Sequence, residues 1–317
     1  MIEYLMLLIG LFLLVKGADF LIDASSSLAK KYGVSTLFIG LTVLAFGTSL
    51  PELIVNLISA FKDSGEIAFG NIIGSNMSNI LLVLGLTSLF VTIKVADSTI
   101  KKEIPYSIFA VLLLIVFSGM IFIFGINNGV LSLLEGFILL LCFVFFMQYV
   151  ILMAKKDKKT LDIEVEIKKM SNFKLSFFLI AGILALFFGG KWTVDGAIIV
   201  ARNFGMSEFF ISATIVAIGT SLPELITSII AAFKKEIDLL VGNIIGSNIF
   251  NILWVLGLTS IIKPILIPEG IIIDLFILTF VSVLLLFFVW RYKSLNKYHG
   301  MVFILLYILY IFYLIFR

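Results

Sequence analysis

Long apolar stretches alternate with short polar ones along nearly all of the 317 residues. A membrane-spanning helix needs about 20 mostly apolar residues, and ten stretches reach that length. We predict spans at 4–28, 36–61, 67–90, 104–124, 129–153, 174–200, 208–233, 239–262, 270–290 and 300–316. The pattern predicts an all-α integral membrane protein with two five-helix units, 1–153 and 174–317, joined by a polar linker at 154–173.

The composition supports a membrane location and argues against aqueous enzymes. Hydrophobic residues make up 61% of the chain, charged residues only 14%, and the mean hydropathy is +1.20. A soluble domain carries about 25% charged residues. The single histidine excludes a histidine-based metal motif such as HExxH, and no GxSxG motif occurs. We therefore expect no enzymatic activity and no nucleic-acid partner.

The distribution of lysine and arginine predicts the orientation. With the linker 154–173 in the cytosol, 17 of these residues fall on the cytosolic side and 4 on the other, and the remaining two, Lys16 and Lys191, lie within spans. Basic residues favour the cytoplasmic loops of membrane proteins. The bias predicts that both termini are extracellular, and the Lys- and Ile-rich composition indicates a prokaryotic cell (plasma) membrane.

The two halves of the chain are copies of each other. A shift of 172 residues aligns 45–90 with 217–262 with 29 identities in 46 positions and no gap. Such self-similarity indicates an internal duplication. Because each unit contains five spans, an odd number, the two copies are inverted in the membrane. Inverted repeats with interrupted helices are typical of transporters, whose binding site lies where the halves meet.

The hexapeptide GTSLPE occurs in both copies, at Gly47–Glu52 and Gly219–Glu224. Proline lacks an amide hydrogen and clashes with the carbonyl four residues back, so we predict that helices two and seven break there. The break is expected to free backbone carbonyls around Ala45–Thr48. A charge at the centre of a membrane helix costs about 2.5–3.5 kcal/mol, so each glutamate is expected to be accompanied by a cation or a proton.

The heptapeptide GNIIGSN is also repeated, in spans three and eight. Its glycines lie four residues apart, which predicts close helix approach. Ser75 and Asn79 share one helix face, as do their counterparts 172 residues later. With the two GTSLPE copies, the inventory is two carboxylates, two amides and six hydroxyls, without Cys, His or Met. These oxygen ligands suit Ca²⁺, which takes 6–8 of them, and Na⁺ is similar in size.

The paired motifs GTSLPE and GNIIGSN, once per half, resemble the alpha repeats of the calcium/cation antiporter superfamily, in particular its prokaryotic sodium/calcium exchanger branch. The resemblance covers nearly the whole chain. It implies a secondary antiporter that exchanges several Na⁺ for one Ca²⁺ by alternating access, electrogenically, with spans one and six sliding over the rest. It implies no prosthetic group. The expected partners are the transported ions and the lipid bilayer, and a site enclosed in one chain predicts a functional monomer.

The same resemblance implies the cation ligands. Glu52 and Glu224 would be the shared central carboxylates. The other implied ligands are oxygens of Thr48, Ser49, Thr220 and Ser221, the carbonyls of Ala45 and Ala217, and, on the opposite wall, Ser75, Asn79, Ser247 and Asn251. Some relatives, including potassium-dependent ones, carry Asp where this chain has Asn79 or Asn251, which argues against K⁺ cotransport.

Two alternatives to a Na⁺/Ca²⁺ antiporter remain open. In a Ca²⁺/H⁺ antiporter the same two glutamates, Glu52 and Glu224, would take up protons in exchange for Ca²⁺. The hydroxyl-rich site favours Na⁺, and proton-coupled members of the superfamily usually show a GN-x-x-E type motif where this chain has GTSLPE. A scaffold or receptor role is the alternative from another class, and a Glu52→Gln variant that folds but carries no ions would exclude it.

Some polar residues are predicted to bind neighbouring helices instead of an ion. Asp19 and Lys191 are equivalent positions of opposite charge on spans one and six, and one hypothesis pairs them. The other is that each reaches water or a local partner. Asp23 is expected to make a contact at a helix end or loop. Asn71 and Asn243 are predicted to hydrogen-bond a broken helix.

Overall fold

The fold is helical almost throughout. The computed structural model describes residues 2–124, 129–157, 170–205 and 219–316. The α-helices are Ile2–Tyr32, Thr36–Ile39, Ala45–Thr48, Leu50–Phe61, Gly65–Met77, Gly85–Phe90, Ile104–Phe124, Leu133–Asp157, Asn172–Asn203, Leu222–Phe233, Ile237–Ile249, Gly257–Ile262, Ile271–Tyr292 and Lys297–Phe316. Wider π-helical turns continue some of them, at Gly40–Leu44, Ser78–Leu84, Thr99–Glu103 and Phe250–Leu256.

The helices agree with the predicted spans. Seven described helices are long and apolar enough to cross a membrane, and the bent pair Thr36–Thr48 and Leu50–Phe61 makes an eighth span. The helix Ile104–Phe124 fills the predicted fourth span. The seventh span is described only from Gly219 onward, where Leu222–Phe233 forms its second part. The all-α membrane fold is thereby confirmed, and the count of ten remains a prediction.

Equivalent sequence in the two halves folds into equivalent elements. Each half has a helix after the break, a helix carrying GNIIGSN, and a π-helical turn that continues it. These pairs are Leu50–Phe61 with Leu222–Phe233, Gly65–Met77 with Ile237–Ile249, and Ser78–Leu84 with Phe250–Leu256. π-helical turns are rare in proteins overall, but they often occur at functional sites. The residues in these repeated turns are therefore candidates for a functional site.

Two short strand pairs depart from the all-α prediction. Ile93–Lys94 pairs antiparallel with Ser294–Leu295, and Val130–Leu131 pairs with Ile265–Leu266. Each pair joins segments that the alternation of spans places on one side of the membrane. The ion pairs Lys293–Asp97 and Lys263–Asp63 also join segments of the same side. The contacts therefore agree with the predicted alternation.

The helices that carry GNIIGSN lie at the centre of the protein. In the most apolar 18-residue window of Ile237–Ile262, 94% of the residues are buried, and the share is 78% for Gly65–Phe90. It is only 33% for the first helix and 28% for Asn172–Asn203. These two outer helices pack together through glycines, and a Cβ on Gly189 would lie 2.7 Å from the Leu14 amide nitrogen. Spans one and six thus form a peripheral pair beside a buried core.

The predicted close approach of the GNIIGSN glycines holds in the second half. A Cβ on Gly242 would lie 2.8 Å from the Leu37 carbonyl oxygen, and one on Gly246 would lie 2.8 Å from the Ala45 Cβ. The helix Ile237–Ile249 therefore packs backbone to backbone on the first part of span two. For Gly70 and Gly74 of the first half, no described residue lies within 4 Å of an added Cβ, and the sequence equivalent of the first part of span two, 208–218, lies outside the described residues.

Candidate cation-binding site

Helix two breaks at GTSLPE, as predicted. The helix Ala45–Thr48 ends at Ser49, and the next helix begins at Leu50 with Pro51 in its first turn. The two parts of the span differ in direction by 43°. Proline is tolerated in a first turn, where its missing amide hydrogen would have no partner. The break therefore places Glu52 at a helix N-terminus, whose dipole favours a negative charge.

The second half repeats this geometry. Leu222–Phe233 begins after Ser221, whose φ and ψ of −88° and 4° match the −86° and 2° of Ser49. Glu224 accordingly lies in a first turn as well. The same six letters thus produce the same local structure twice, because proline chemistry acts within one turn.

One detail of the predicted break is wrong. The Ala45 carbonyl keeps a helical partner, since the Ser49 amide donates to it at 3.0 Å. The Thr48 hydroxyl donates to the preceding carbonyl, that of Leu44, at 3.2 Å. The chain turns only after Ser49, so the first helical part closes its last hydrogen bond before it ends. The second lone pair of the Ala45 carbonyl meets only the Thr48 hydroxyl, at a long 3.5 Å.

Both glutamates are completely buried, with 0% of their surface exposed. The Ser75 hydroxyl donates to Glu52 Oε1 at 3.0 Å. Glu52 Oε2 and both oxygens of Glu224 have no hydrogen bond of good geometry from any described residue, and the hydroxyls of Thr48 and Ser247 interact with Glu224 only in weaker geometry. A buried carboxylate without partners is strongly unfavourable. These three oxygens are therefore the strongest indication of a cation or proton at this place.

Hydroxyl groups connect each broken turn to the central helix of the other half. The Ser75 hydroxyl lies 3.1 Å from that of Ser221, and the Thr48 hydroxyl lies 3.2 Å from that of Ser247. The Thr48 hydroxyl also lies 3.0 Å from Asn243 Oδ1, which competes with the Leu44 carbonyl as acceptor of its one hydrogen. The two motifs of one half therefore do not form separate sites. They combine with those of the other half into one polar centre.

The predicted amide ligands, Asn79 and Asn251, lie in the π-helical turns and are fully buried. Asn79 Nδ2 donates to Asn248 Oδ1 and Asn251 Nδ2 donates to Asn76 Oδ1, each at 3.0 Å. The sequence analysis overlooked Asn76 and Asn248. The available signal was that both are the last residue of GNIIGSN and repeat with the motif.

Asn71 hydrogen-bonds a broken helix, as predicted. Its Nδ2 donates to the Glu52 carbonyl at 3.2 Å and to Asn56 Oδ1 at 2.7 Å. Asn243 also meets a broken helix, but through Thr48 of the other half. Asn56 is a third residue that was not predicted from the sequence. It is completely buried, and its position one turn after Glu52 on the same helix face could have revealed it.

The remaining predicted ligands are placed as follows. Ser49 is buried, and its hydroxyl has no hydrogen-bond partner among the described residues, while Thr220 is partly exposed. Ala217 lies outside the described residues. No group of three or more His, Cys, Asp or Glu side chains comes together within the described part of the chain. Neutral oxygens would therefore supply most of the ligands.

The proposed pairing of Asp19 with Lys191 is wrong. Asp19 instead binds Lys234, whose Nζ lies 2.5 Å from Asp19 Oδ1 and 2.5 Å from Asp23 Oδ1. Asp23 thus contacts the end of a helix, as expected, because Lys234 directly follows Leu222–Phe233. Ser26 donates to Glu236 in the same turn. These contacts attach the peripheral first helix to the second broken helix.

The chain matches the family model described as sodium/calcium exchanger protein over residues 2–152 and 174–316. CaxA of Alkalimonas amylolytica is 39% identical over 269 residues, covering 83% of this chain and 82% of CaxA. The sodium/calcium exchanger MaX1 of Methanosarcina acetivorans is 28% identical, with 97% of each chain covered. A solved structure of the sodium-calcium exchanger NCX_Mj, soaked with Na⁺ and Sr²⁺, has a TM-score of 0.82 at 31% identity, with 97% of each chain covered.

Proposed function

The chain belongs to the sodium/calcium exchanger family, and from this premise we propose that it is a secondary antiporter that moves Ca²⁺ against Na⁺ across the membrane. The transport site is the polar centre between the two halves. Alternating access follows from the inverted repeats, which expose this centre first to one side and then to the other. The protein carries out no covalent chemistry and is not an enzyme.

One observation carries the proposal. Two fully buried glutamates, Glu52 and Glu224, together present three carboxylate oxygens that have no hydrogen bond of good geometry from any described residue. In a membrane interior such charges are strongly unfavourable without a counter-ion. One Ca²⁺ neutralises both, and so do two Na⁺. The surrounding hydroxyl and amide oxygens are hard ligands, which suit Ca²⁺ and Na⁺ better than softer metals.

We assign the ligands by their place around this centre. The carboxylates of Glu52 and Glu224 are the shared central ligands. Further oxygens come from Ala45, Thr48, Ser49, Ser75, Asn79, Ala217, Thr220, Ser221, Ser247 and Asn251. The cross-half hydroxyl contacts support this set, since they bring both motifs of both halves to one place.

The coupling ion is Na⁺ in this proposal, supported by the hydroxyl-rich surroundings of the glutamates and by the printed names of MaX1 and NCX_Mj. Exchange of three or more Na⁺ for one Ca²⁺ moves net charge, and a membrane potential contributes about 2.3 kcal/mol per charge per 100 mV. Proton coupling is the second candidate. The unpartnered carboxylate oxygens favour it, because protonation also removes the buried charge.

The surroundings of the site complete the proposal. We assign 1–153 and 174–317 to the two five-helix units and 154–173 to a cytosolic linker. The excess of Lys and Arg on one side supports an orientation with both termini outside, and we place the protein in the plasma membrane. All the oxygens named above belong to one chain, so a monomer suffices for transport.

The test is uptake of radioactive Ca²⁺ into proteoliposomes loaded with Na⁺, with K⁺-loaded and acid-loaded vesicles alongside. We expect uptake that requires an outward Na⁺ gradient. If more than two Na⁺ leave for each Ca²⁺, net positive charge moves outward, so uptake should grow when a valinomycin-set potential makes the interior positive and shrink when it makes the interior negative. Uptake driven by the proton gradient alone would replace Na⁺ by H⁺ as the coupling ion. No Ca²⁺ flux under any gradient would overturn the proposal.

A further inference from the structure

Four buried asparagines join the central helices of the two halves. Asn76 and Asn79 belong to the first half and Asn248 and Asn251 to the second, and each is at most 1% exposed. Asn79 donates to the Asn248 side chain, and Asn251 donates to the Asn76 side chain, both at 3.0 Å. The two bonds exchange under the shift of 172 residues, so the same arrangement is built twice.

Each pair contains one of the predicted ligands, Asn79 or Asn251, and one residue outside that predicted set, Asn248 or Asn76. Asn79 lies four residues after Ser75, whose hydroxyl binds Glu52, and Asn251 lies four residues after Ser247. The Oδ1 atoms of Asn79 and Asn251 are buried and accept no hydrogen bond from any described residue. An oxygen in this condition is available to a cation. The amide nitrogens of the same residues are already engaged.

The orientation of these amides matters because an amide has two nearly equal ends. A flipped side chain would present its NH₂ group, a donor, where a cation needs an acceptor. The flip changes the shape of the side chain very little, so packing alone selects weakly between the two orientations. A hydrogen-bond partner of fixed polarity is needed to select one of them.

Asn76 supplies that polarity in the structure. Its Nδ2 donates to the backbone carbonyl of Asn248 at 3.2 Å. A backbone carbonyl can only accept, so Asn76 turns its NH₂ toward it and its Oδ1 toward Asn251. Asn251 must then donate through its own NH₂, and its Oδ1 remains on the side of the site. The Asn248 backbone carbonyl thereby fixes the orientation of the Asn76 amide, and Asn76 in turn fixes that of Asn251.

We propose that Asn76 and Asn248 are positioning residues for the transported cation. They do not touch it, but they hold the amides of Asn251 and Asn79 with the oxygen toward it. The inference rests on the proposed function, since it concerns the same site. An ordinary contact between helices would stabilise the protein as a whole. Asn76 and Asn248 would instead each affect cation binding through one particular ligand, Asn251 or Asn79.

A double-mutant cycle on the full-length, reconstituted protein tests this. Asn76→Ala, Asn251→Ala and the double variant are compared by the Ca²⁺ concentration that gives half-maximal uptake. We expect each single variant to raise it about fivefold or more, since one ordinary hydrogen bond corresponds to roughly that ratio. In Asn76→Ala, which removes no ligand, maximal uptake should stay within about twofold. The double variant should be no worse than the poorer single variant, because Asn76 acts only through Asn251.

The matched control is the pair Asn76→Ala and Asn79→Ala, which the structure does not connect by a hydrogen bond. Here the two effects should multiply. An unchanged half-saturation in Asn76→Ala, or effects that multiply in both cycles, would overturn the inference. Wild-type protein without Na⁺-driven Ca²⁺ uptake would overturn the proposed function instead, so the two failures are distinguishable.

Loss of folding is controlled by a second cycle and a second readout. Asn248→Ala with Asn79→Ala is the equivalent cycle in the other half and keeps the Asn248 backbone carbonyl. The Ca²⁺-dependent rise in unfolding temperature of the purified protein in detergent reports binding without transport. The same non-additivity is expected there. Multiplying effects in this binding assay would reject the positioning role even for variants that no longer transport.

Discussion

The hydroxyls of Ser75 and Ser221 lie 3.1 Å apart, although 146 residues separate them in the chain. Ser75 also donates to Glu52 at 3.0 Å. Ser221 is the residue at which the second broken helix begins. One serine thus joins the carboxylate of its own half to the broken turn of the other half. The proposed transport site therefore requires contact between both halves.

Neutralising either central glutamate should abolish Ca²⁺ transport while the protein becomes more stable without ions. Glu52→Gln and Glu224→Gln each remove one of two charges that bind Ca²⁺, and we expect affinity to fall at least about 100-fold, or about 2.8 kcal/mol. Without ions, the neutral amide removes an uncompensated buried charge, so the unfolding temperature in ion-free buffer should rise.

The matched control is Glu66→Gln, an exposed glutamate in the first turn of the next helix. It should change neither uptake nor stability. Near-normal uptake in either central variant, measured with proteoliposomes, would contradict the assignment of these carboxylates.

Removal of the Ser75 hydroxyl should weaken Ca²⁺ binding without unfolding the protein. Ser75→Ala leaves Glu52 Oε1 without its donor and removes one oxygen ligand. We expect the half-saturating Ca²⁺ concentration to rise about tenfold, or about 1.4 kcal/mol. Ser88→Ala is the control, because the buried Ser88 hydroxyl donates to Gly85 of its own helix. Equal effects in the two variants would contradict the ligand role of Ser75, because removal of any buried hydroxyl would then weaken Ca²⁺ binding equally.

The ion pair of Lys234 with Asp19 should be visible as coupling in a stability cycle. Lys234→Met and Asp19→Asn are each expected to cost about 0.5–1 kcal/mol, a modest value because these side chains are about one-third exposed. The double variant should cost little more than either one. Asp19→Asn with Lys191→Met should be additive. Coupling with Lys191 in thermal unfolding would restore the pairing that the structure rejects.

A methyl group on Gly242 should force two central helices apart. The added Cβ would lie 2.8 Å from the Leu37 carbonyl oxygen and 2.9 Å from the Gly40 Cα, closer than van der Waals contact. We expect Gly242→Ala to destabilise the protein by about 1–3 kcal/mol. Gly190→Ala is the control, since its Cβ would meet Pro223 at an ordinary 3.6 Å. A normal unfolding temperature in Gly242→Ala would contradict the close packing.

Much of this architecture could be predicted from the sequence because its causes are local. Apolar length predicted the helices, and the proline of GTSLPE predicted a break that the structure places at Ser49 and Ser221. The identity of the repeated motifs predicted the family, which the family model confirms. The twofold repetition of Glu52 and Glu224 predicted the centre of the candidate site. Each of these features depends on a few neighbouring residues or on direct self-comparison.

The tertiary structure alone decided which side chains meet. Nothing in the sequence indicates that Asp19 binds Lys234 and not Lys191, or that Asn76 holds Asn251. Such partners lie on helices more than 170 residues apart, and their contact depends on how far each helix is rotated and shifted against the other. The packing of whole helices fixes that rotation. Close contact at glycines or a π-helical turn changes the position of a whole helix, and all of its side chains then shift together.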